Sequence, residues 1–260
     1  MDELDGIFCI NLEDRKERYI QTKRVFDKLN INVTFYHPQK HSTSGRIGCF
    51  ESHVNIIRDC YNKQMNRILI FEDDIVDTPS YSDEKMKEIV TFLKHNEWIE
   101  YFQLGYSICP HEVTNFFFSK NIHGNEIIQY CGLLTHAYIV NRKGMERILA
   151  TWGYAAYEKE MHIDKYYVKM FKNNSGAVCP ILFDQNFCTE SDNTAPPEIY
   201  LKILRSISCV SSRYKICYRV SIIRYYRSEI LRASAATIIV VLLLLLFVLR
   251  SKVNPRKSSK

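Results

Sequence analysis

At 260 residues, 46% apolar and 13% aromatic, the chain can bury a real core, and its size fits one domain with appendages. Its formal charge of +6 is unevenly placed: beyond Tyr200 thirteen Lys and Arg face Glu229 alone, so that part carries +12 and the first 199 residues carry −6. An acidic body on a basic tail excludes a nucleic-acid-binding domain, whose positive charge would lie on the folded face that meets phosphate.

The body alternates short apolar runs with amphipathic stretches. Gly6 to Leu12 is a strand, and Arg15 to Leu29 a helix, with Tyr19, Val25, Phe26 and Leu29 at helical spacing. A short strand over Val33–Tyr36 leads through a polar loop around His41 to Gly45 into a helix over about Cys49–Lys63. Arg67 to Phe71 has the length of a buried strand. A helix at Asp83–His95 and a strand over Trp98–Gly105 follow. After a β-rich middle come a strand at His136–Val140 and a helix over Lys143–Trp152, with no internal repeat and no low-complexity segment. Strands alternating with helices predict an α/β sandwich with a mostly parallel central sheet. Ligands of such sheets gather at the carboxyl ends of the strands.

One strand ends in chemistry. Leu69-Ile-Phe-Glu72-Asp73-Asp74 runs a buried strand into three consecutive carboxylates. If the extended backbone continues, Glu72 and Asp74 share one face and Asp73 takes the other. Two hard oxygen ligands of this kind suit Mg²⁺ or Mn²⁺, which complete their shells with water and phosphate oxygens. An acidic turn after a strand is the plainer alternative. Asn11 closes the first strand, and Arg15 and Arg18 follow three positions apart on one helical face, where guanidinium groups can grip phosphate or form a solvated basic stripe. Gly45-Arg-Ile-Gly48-Cys49-Phe-Glu-Ser52-His53 reads as a glycine-shaped approach to a helix whose early residues face a ligand, and His53 also fits as a packed helix residue.

Nine cysteines, none in a C-x-x-C pair, read as scattered and mostly reduced in a cytosol-facing protein; Cys179 with Cys188 is the pair to suspect if the compartment is oxidising. The sequons at Asn32 and Asn173 are taken as chance triplets. Ala233 to Leu249 is uncharged and bracketed by Arg232 and Arg250. At the helical rise these positions cover roughly 25 Å, enough for a thin bilayer. The expected organisation is a body over 1–199, a basic juxtamembrane linker over 200–232, a transmembrane helix over 233–249 and a basic tail over 250–260. Such an arrangement anchors the chain by its C-terminus and leaves the body in the cytosol.

Taken in order, these blocks resemble glycosyltransferase family 25. The features that carry the resemblance are Ile10-Asn11-Leu12-x-x-Arg15-x-x-Arg18, the Gly45 to His53 block, the Glu72-Asp73-Asp74 strand end, Gln103-Leu-Gly105, Thr135-His-Ala137-Tyr138 followed by Gly144, His162-Ile-Asp164, and Pro180 through Gln185 to Ser191-Asp192. The resemblance implies a GT-A type nucleotide-sugar-binding fold. It also implies a UDP-hexose donor, galactose before glucose, and inverting transfer to a glycan, glycolipid or protein acceptor. On that reading Glu72 and Asp74 hold Mn²⁺ or Mg²⁺. Asn11, Arg15, Arg18, Ser52, His53 and Asp73 line the nucleotide-sugar site, and Asp164, or else Asp192, is the general base. Two rivals remain: a metal-dependent phosphohydrolase or nuclease, and a membrane-tethered binding protein of the same fold that has lost catalysis.

Overall fold

The computed structural model describes residues 3–106, 118–122 and 125–186. The linker, the hydrophobic span, the basic tail, Cys188 and Asp192 lie outside the described residues.

In chain order the elements are β1 (Gly6–Ile10), α1 (Lys16–Lys28), β2 (Thr34–Tyr36), α2 (Gly45–Asn62), β3 (Arg67–Glu72), β4 (Ile75–Asp77), α3 (Asp83–His95), β5 (Tyr101–Gln103), β6 (Phe118–Ile122) and β7 (Asn125–Ile128). There follow β8 (Ala137–Asn141), α4 (Arg142–Gly153), a π-helical turn (Tyr154–Glu158), α5 (Ile163–Met170), β9 (Ser175–Cys179) and β10 (Phe183–Gln185). One eight-stranded sheet has the order β2-β1-β3-β8-β5-β9-β7-β6, and β10 with β4 makes a separate antiparallel pair. From the pairings, β2, β1, β3, β5, β9 and β6 run one way while β8 and β7 run the other, so the sheet is mostly parallel in direction.

The period-two pattern of the central strands splits the core into two layers. Ile68 and Ile70 of β3, with Tyr138 and Val140 of β8, pack under α2, α4 and α5. Leu69 and Phe71, with Ala137 and Ile139, pack against Phe26 of α1 and Met86, Ile89 and Leu93 of α3. Burying each such side chain contributes about 1.5–3 kcal/mol. Because both faces are covered, β3 reads as a continuous apolar run rather than an alternating one.

Helix ends follow local chemistry. Ser44 and Ser82 cap α2 and α3, their hydroxyls accepting from the amides of Ile47 and Lys85. Asn141 caps α4 by accepting from Gly144. The glycines at 45 and 48 therefore belong to the first turn of α2, which starts four residues before the expected Cys49, because Ser44 supplies the cap. A Cβ on Gly48 would lie 2.8 Å from Cβ of His41, so the glycine admits the preceding loop against the helix. The strand expected over Trp98–Gly105 is shorter, Tyr101–Gln103. Leu104 instead bonds across to Leu182 and Ala137, joining the main sheet to the β10 segment.

Candidate active site

Glu72, Asp73 and Asp74 emerge where β3 leaves the sheet. Alternation holds for the first two acids. Glu72 turns toward α2 like Ile68 and Ile70, whereas Asp73 turns toward α1 like Leu69 and Phe71. For Asp74 the extended backbone gives way: Asp73 and Asp74 form the turn into β4, and β4 pairs with β10 in the second sheet, so strand alternation does not place the Asp74 side chain, although its charge and that of Glu72 still interact. Asp74 meets Gln185 of β10 instead, whose Nε2 donates to Oδ2 at 2.8 Å.

The three carboxylates do different work. Both oxygens of Asp73 are held: Arg18 Nη1 donates to Oδ1 and Asn11 Nδ2 to Oδ2, each at 2.8 Å. The Thr22 hydroxyl donates to the Asp73 carbonyl. Asp73 thus fastens α1 and the end of β1 to the tip of β3, a buried acid made tolerable by a guanidinium and an amide. Glu72 accepts on Oε1 from Thr135 at 2.6 Å, and Nε2 of His53 lies 3.5 Å from the same oxygen. Burial works to raise its pKa, but the bond and charge of His53, with Thr135, outweigh burial and hold it below the ordinary carboxylate value. Asp74 goes the other way. Burial first, and then the neighbouring charge of Glu72, push its pKa up to about 7 in spite of Gln185 and of Arg18, whose Nη1 is 3.8 Å from Oδ2.

Asp74 Oδ1 is buried and has no hydrogen-bond partner among the described residues. A buried carboxylate oxygen without a partner is costly and calls for positive charge. Among the described residues no group of three or more His, Cys, Asp or Glu is arranged to hold a metal. A divalent ion that binds through one or two carboxylates and takes its other ligands from phosphate and water needs no such group. Asp74 and Glu72 fit that donor set.

The other expected site residues divide. Asn11 and Arg18 reach the acidic cluster through Asp73. Arg15 stands at the start of α1, its carbonyl accepting from Asn11 Nδ2 at 3.2 Å. His53 is buried between Glu72 and Tyr138, whose hydroxyl lies 2.9 Å from Nδ1. Ser52 donates to the Gly48 carbonyl of its own helix at 2.6 Å and contacts none of the three acids. Asp164 begins α5, where Oδ1 accepts from the Lys165 amide and Oδ2 from the Leu134 amide at 3.4 Å, one residue from Thr135. Thr135, Gln185 and Thr22 were not singled out for the site by residue type, since Thr and Gln carry no charge to mark them. Thr135 and Gln185 do fall inside blocks that carry the family resemblance, and that was the available signal.

The sequence profile described as Glycosyltransferase family 25 (LPS biosynthesis protein) matches residues 36–167, half of the chain. The chain belongs to glycosyltransferase family 25. A "Glycosyltransferase 25 family member" of Drosophila melanogaster is 32% identical over an alignment that covers 32% of this chain and 18% of that protein, so the match spans under a fifth of the relative's length. Among solved structures, a glycosyltransferase involved in the glycosylation of the major capsid of PBCV-1 aligns with a TM-score of 0.47 at 14% identity, over 72% of this chain and 94% of that one.

Proposed function

We propose that this glycosyltransferase moves a hexose, galactose first and glucose second, from a UDP-sugar to a hydroxyl of a glycan, glycolipid or protein acceptor, with inversion, on a GT-A type fold. The observation that carries this is the buried, unpartnered Oδ1 of Asp74 beside Glu72 at the carboxyl end of a central strand. A nucleoside diphosphate leaves carrying negative charge, and a carboxyl edge with an unanswered oxygen suits a divalent cation that such a group can share.

Mn²⁺ or Mg²⁺ on Asp74 and Glu72 would supply Lewis-acid stabilisation of the departing diphosphate. The chain's own residues do the rest. Arg18 lies against both Asp73 and Asp74, so its guanidinium stands beside the acids, where phosphate oxygens can be gripped, and Arg15 is assigned the same role from the start of that helix. Asn11, tied to Asp73 and to the Arg15 carbonyl, keeps this helix start against the strand tip. Inverting displacement needs a group to take the acceptor proton. Asp164, held beside the Leu134–Thr135 backbone, takes that role, with Asp192 as second choice. His53 and Ser52 complete the α2 wall of the site. The uncharged 233–249 segment and the basic linker before it tether the enzyme to an anionic cytosolic membrane surface.

The test is a donor screen. Purified protein with Mn²⁺ is given UDP-galactose, UDP-glucose and other nucleotide sugars, and free UDP is measured. Donor-dependent UDP release that disappears in Asp74→Ala supports the reading. Release of inorganic phosphate from unrelated phosphate esters, with no UDP from any donor, would favour a hydrolase and overturn it.

A further inference from the structure

The two acids assigned to the cation share an arrangement that the third does not. On Glu72, both protein partners sit on Oε1: the Thr135 hydroxyl at 2.6 Å and His53 Nε2 at 3.5 Å. On Asp74, Gln185 takes Oδ2 and Arg18 lies near that same oxygen, while Oδ1 is buried and unpartnered. Asp73 has both oxygens occupied. In each assigned ligand, then, one oxygen is gripped by a neutral side chain and the other carries no protein hydrogen bond among the described residues.

The grips come from elsewhere in the fold and are themselves braced. Thr135 ends a loop that the buried Gln103 of β5 holds from two directions. Gln103 Nε2 donates to the carbonyls of Gly132 and Leu134 at 3.1 and 3.0 Å, and its Oε1 accepts from the Gly132 amide at 2.6 Å. Leu134 is kept at φ 76°, a left-handed backbone that a leucine adopts only when its surroundings fix it. Its amide donates to Asp164. Gln185 is fixed by the register of β10 on β4, opposite Ile75, and the next amide, of Asn186, donates to the Asp74 carbonyl at 2.6 Å. Groups that orient ligating carboxylates in this way tune metal affinity without touching the metal.

We infer that Thr135 and Gln185 are positioning residues that act through Glu72 and Asp74, each fixing one carboxylate oxygen so that the other faces a divalent cation, with Gln103 bracing the Thr135 loop. The inference rests on the cation reading of the proposed function. Its test is Mn²⁺ binding by the full chain in detergent, followed by electron paramagnetic resonance with UDP present and without it. The variants are Thr135→Val, Thr135→Ser and Gln185→Leu, with circular dichroism melting recorded on each. Thr135→Val keeps the shape and loses the donor; Thr135→Ser keeps the donor. The expected result is a weakening of Mn²⁺ binding by about tenfold or more in Thr135→Val and Gln185→Leu, and by less than about threefold in Thr135→Ser. Gln185 lies on a different element, so it carries the test if Thr135→Val fails to fold. Wild-type affinity in both folded deletion variants, or equal loss in the Ser and Val variants, would overturn the inference. If the wild type itself takes up no Mn²⁺ with UDP present, the cation reading fails first and this inference falls with it.

Discussion

Asp74 is where the fold sacrifices stability for chemistry. Its carboxyl sits buried beside Glu72 with one oxygen unanswered, and its pKa is pushed up to about 7. In metal-free buffer the folded protein keeps this proton up to about pH 7, whereas the unfolded chain releases it near pH 4. The folded state therefore binds more protons in that window, and the contribution to stability is intact below about pH 4 and declines as pH rises through the folded pKa. Asp74→Asn removes the decline. With EDTA present, calorimetric melting is expected to show the variant roughly 3–6 °C more stable than wild type at pH 8 and no more stable at pH 4. A variant less stable at pH 8 would contradict the description of this site. Donor-dependent UDP release should vanish in the same protein, a trade of function against stability. The acids were legible in the sequence because three carboxylates after an apolar run are conspicuous. Their division of labour was not, since it depends on Asn11 and Arg18 reaching Asp73 across about sixty residues of sequence, and on uncharged Thr135 and Gln185.

At the scale of elements, periodicity exposed most of the scaffold. The helix expected at Asp83–His95 has those bounds, because Ser82 caps it, acids fill its first turn and Lys94 and His95 its last. The strand expected to end at Phe71 runs one residue further, to Glu72. The short pieces were harder. β4 and β10 span three residues each, too few for a pattern to show, yet this pair bends Asp74 away from the strand axis. Nor does hydrophobic spacing mark the π-helical turn after α4, whose carbonyl at Ala156 accepts from Arg46 at 2.6 Å. Gly105 joins these elements at close quarters: a methyl there would collide with the ring of His136, just before β8, and with the carbonyl of Phe183, the first residue of β10. Gly105→Ala is expected to cost about 1–3 kcal/mol in urea unfolding. It should also weaken Mn²⁺ binding, because the displaced β10 carries Gln185. Unchanged unfolding free energy would mean that this approach is looser than described.

For the whole molecule, the central sheet, its flanking helices and the β4–β10 pair bring residues from the end of β1, α1, α2, β3, the loop before β8, and β10 to the tip of one strand, and this convergence suits the family to which the chain belongs. The charge division along the chain, acidic body and basic tail, belongs to the same scale. If residues 233–249 span a bilayer, the full chain will remain with membranes after carbonate extraction, and a chain lacking them will be released while keeping donor-dependent UDP release. Extraction of the full chain by carbonate alone would refute the anchor and leave the catalytic reading intact. That reading comes down to one binding event, for which titration calorimetry of the purified chain with Mn²⁺ and UDP is the most direct measurement. UDP is expected to bind with Mn²⁺ present and at least tenfold more weakly without it, and Asp74→Ala to abolish the difference. UDP binding indifferent to Mn²⁺ and to Asp74, or no binding of either, would contradict that reading.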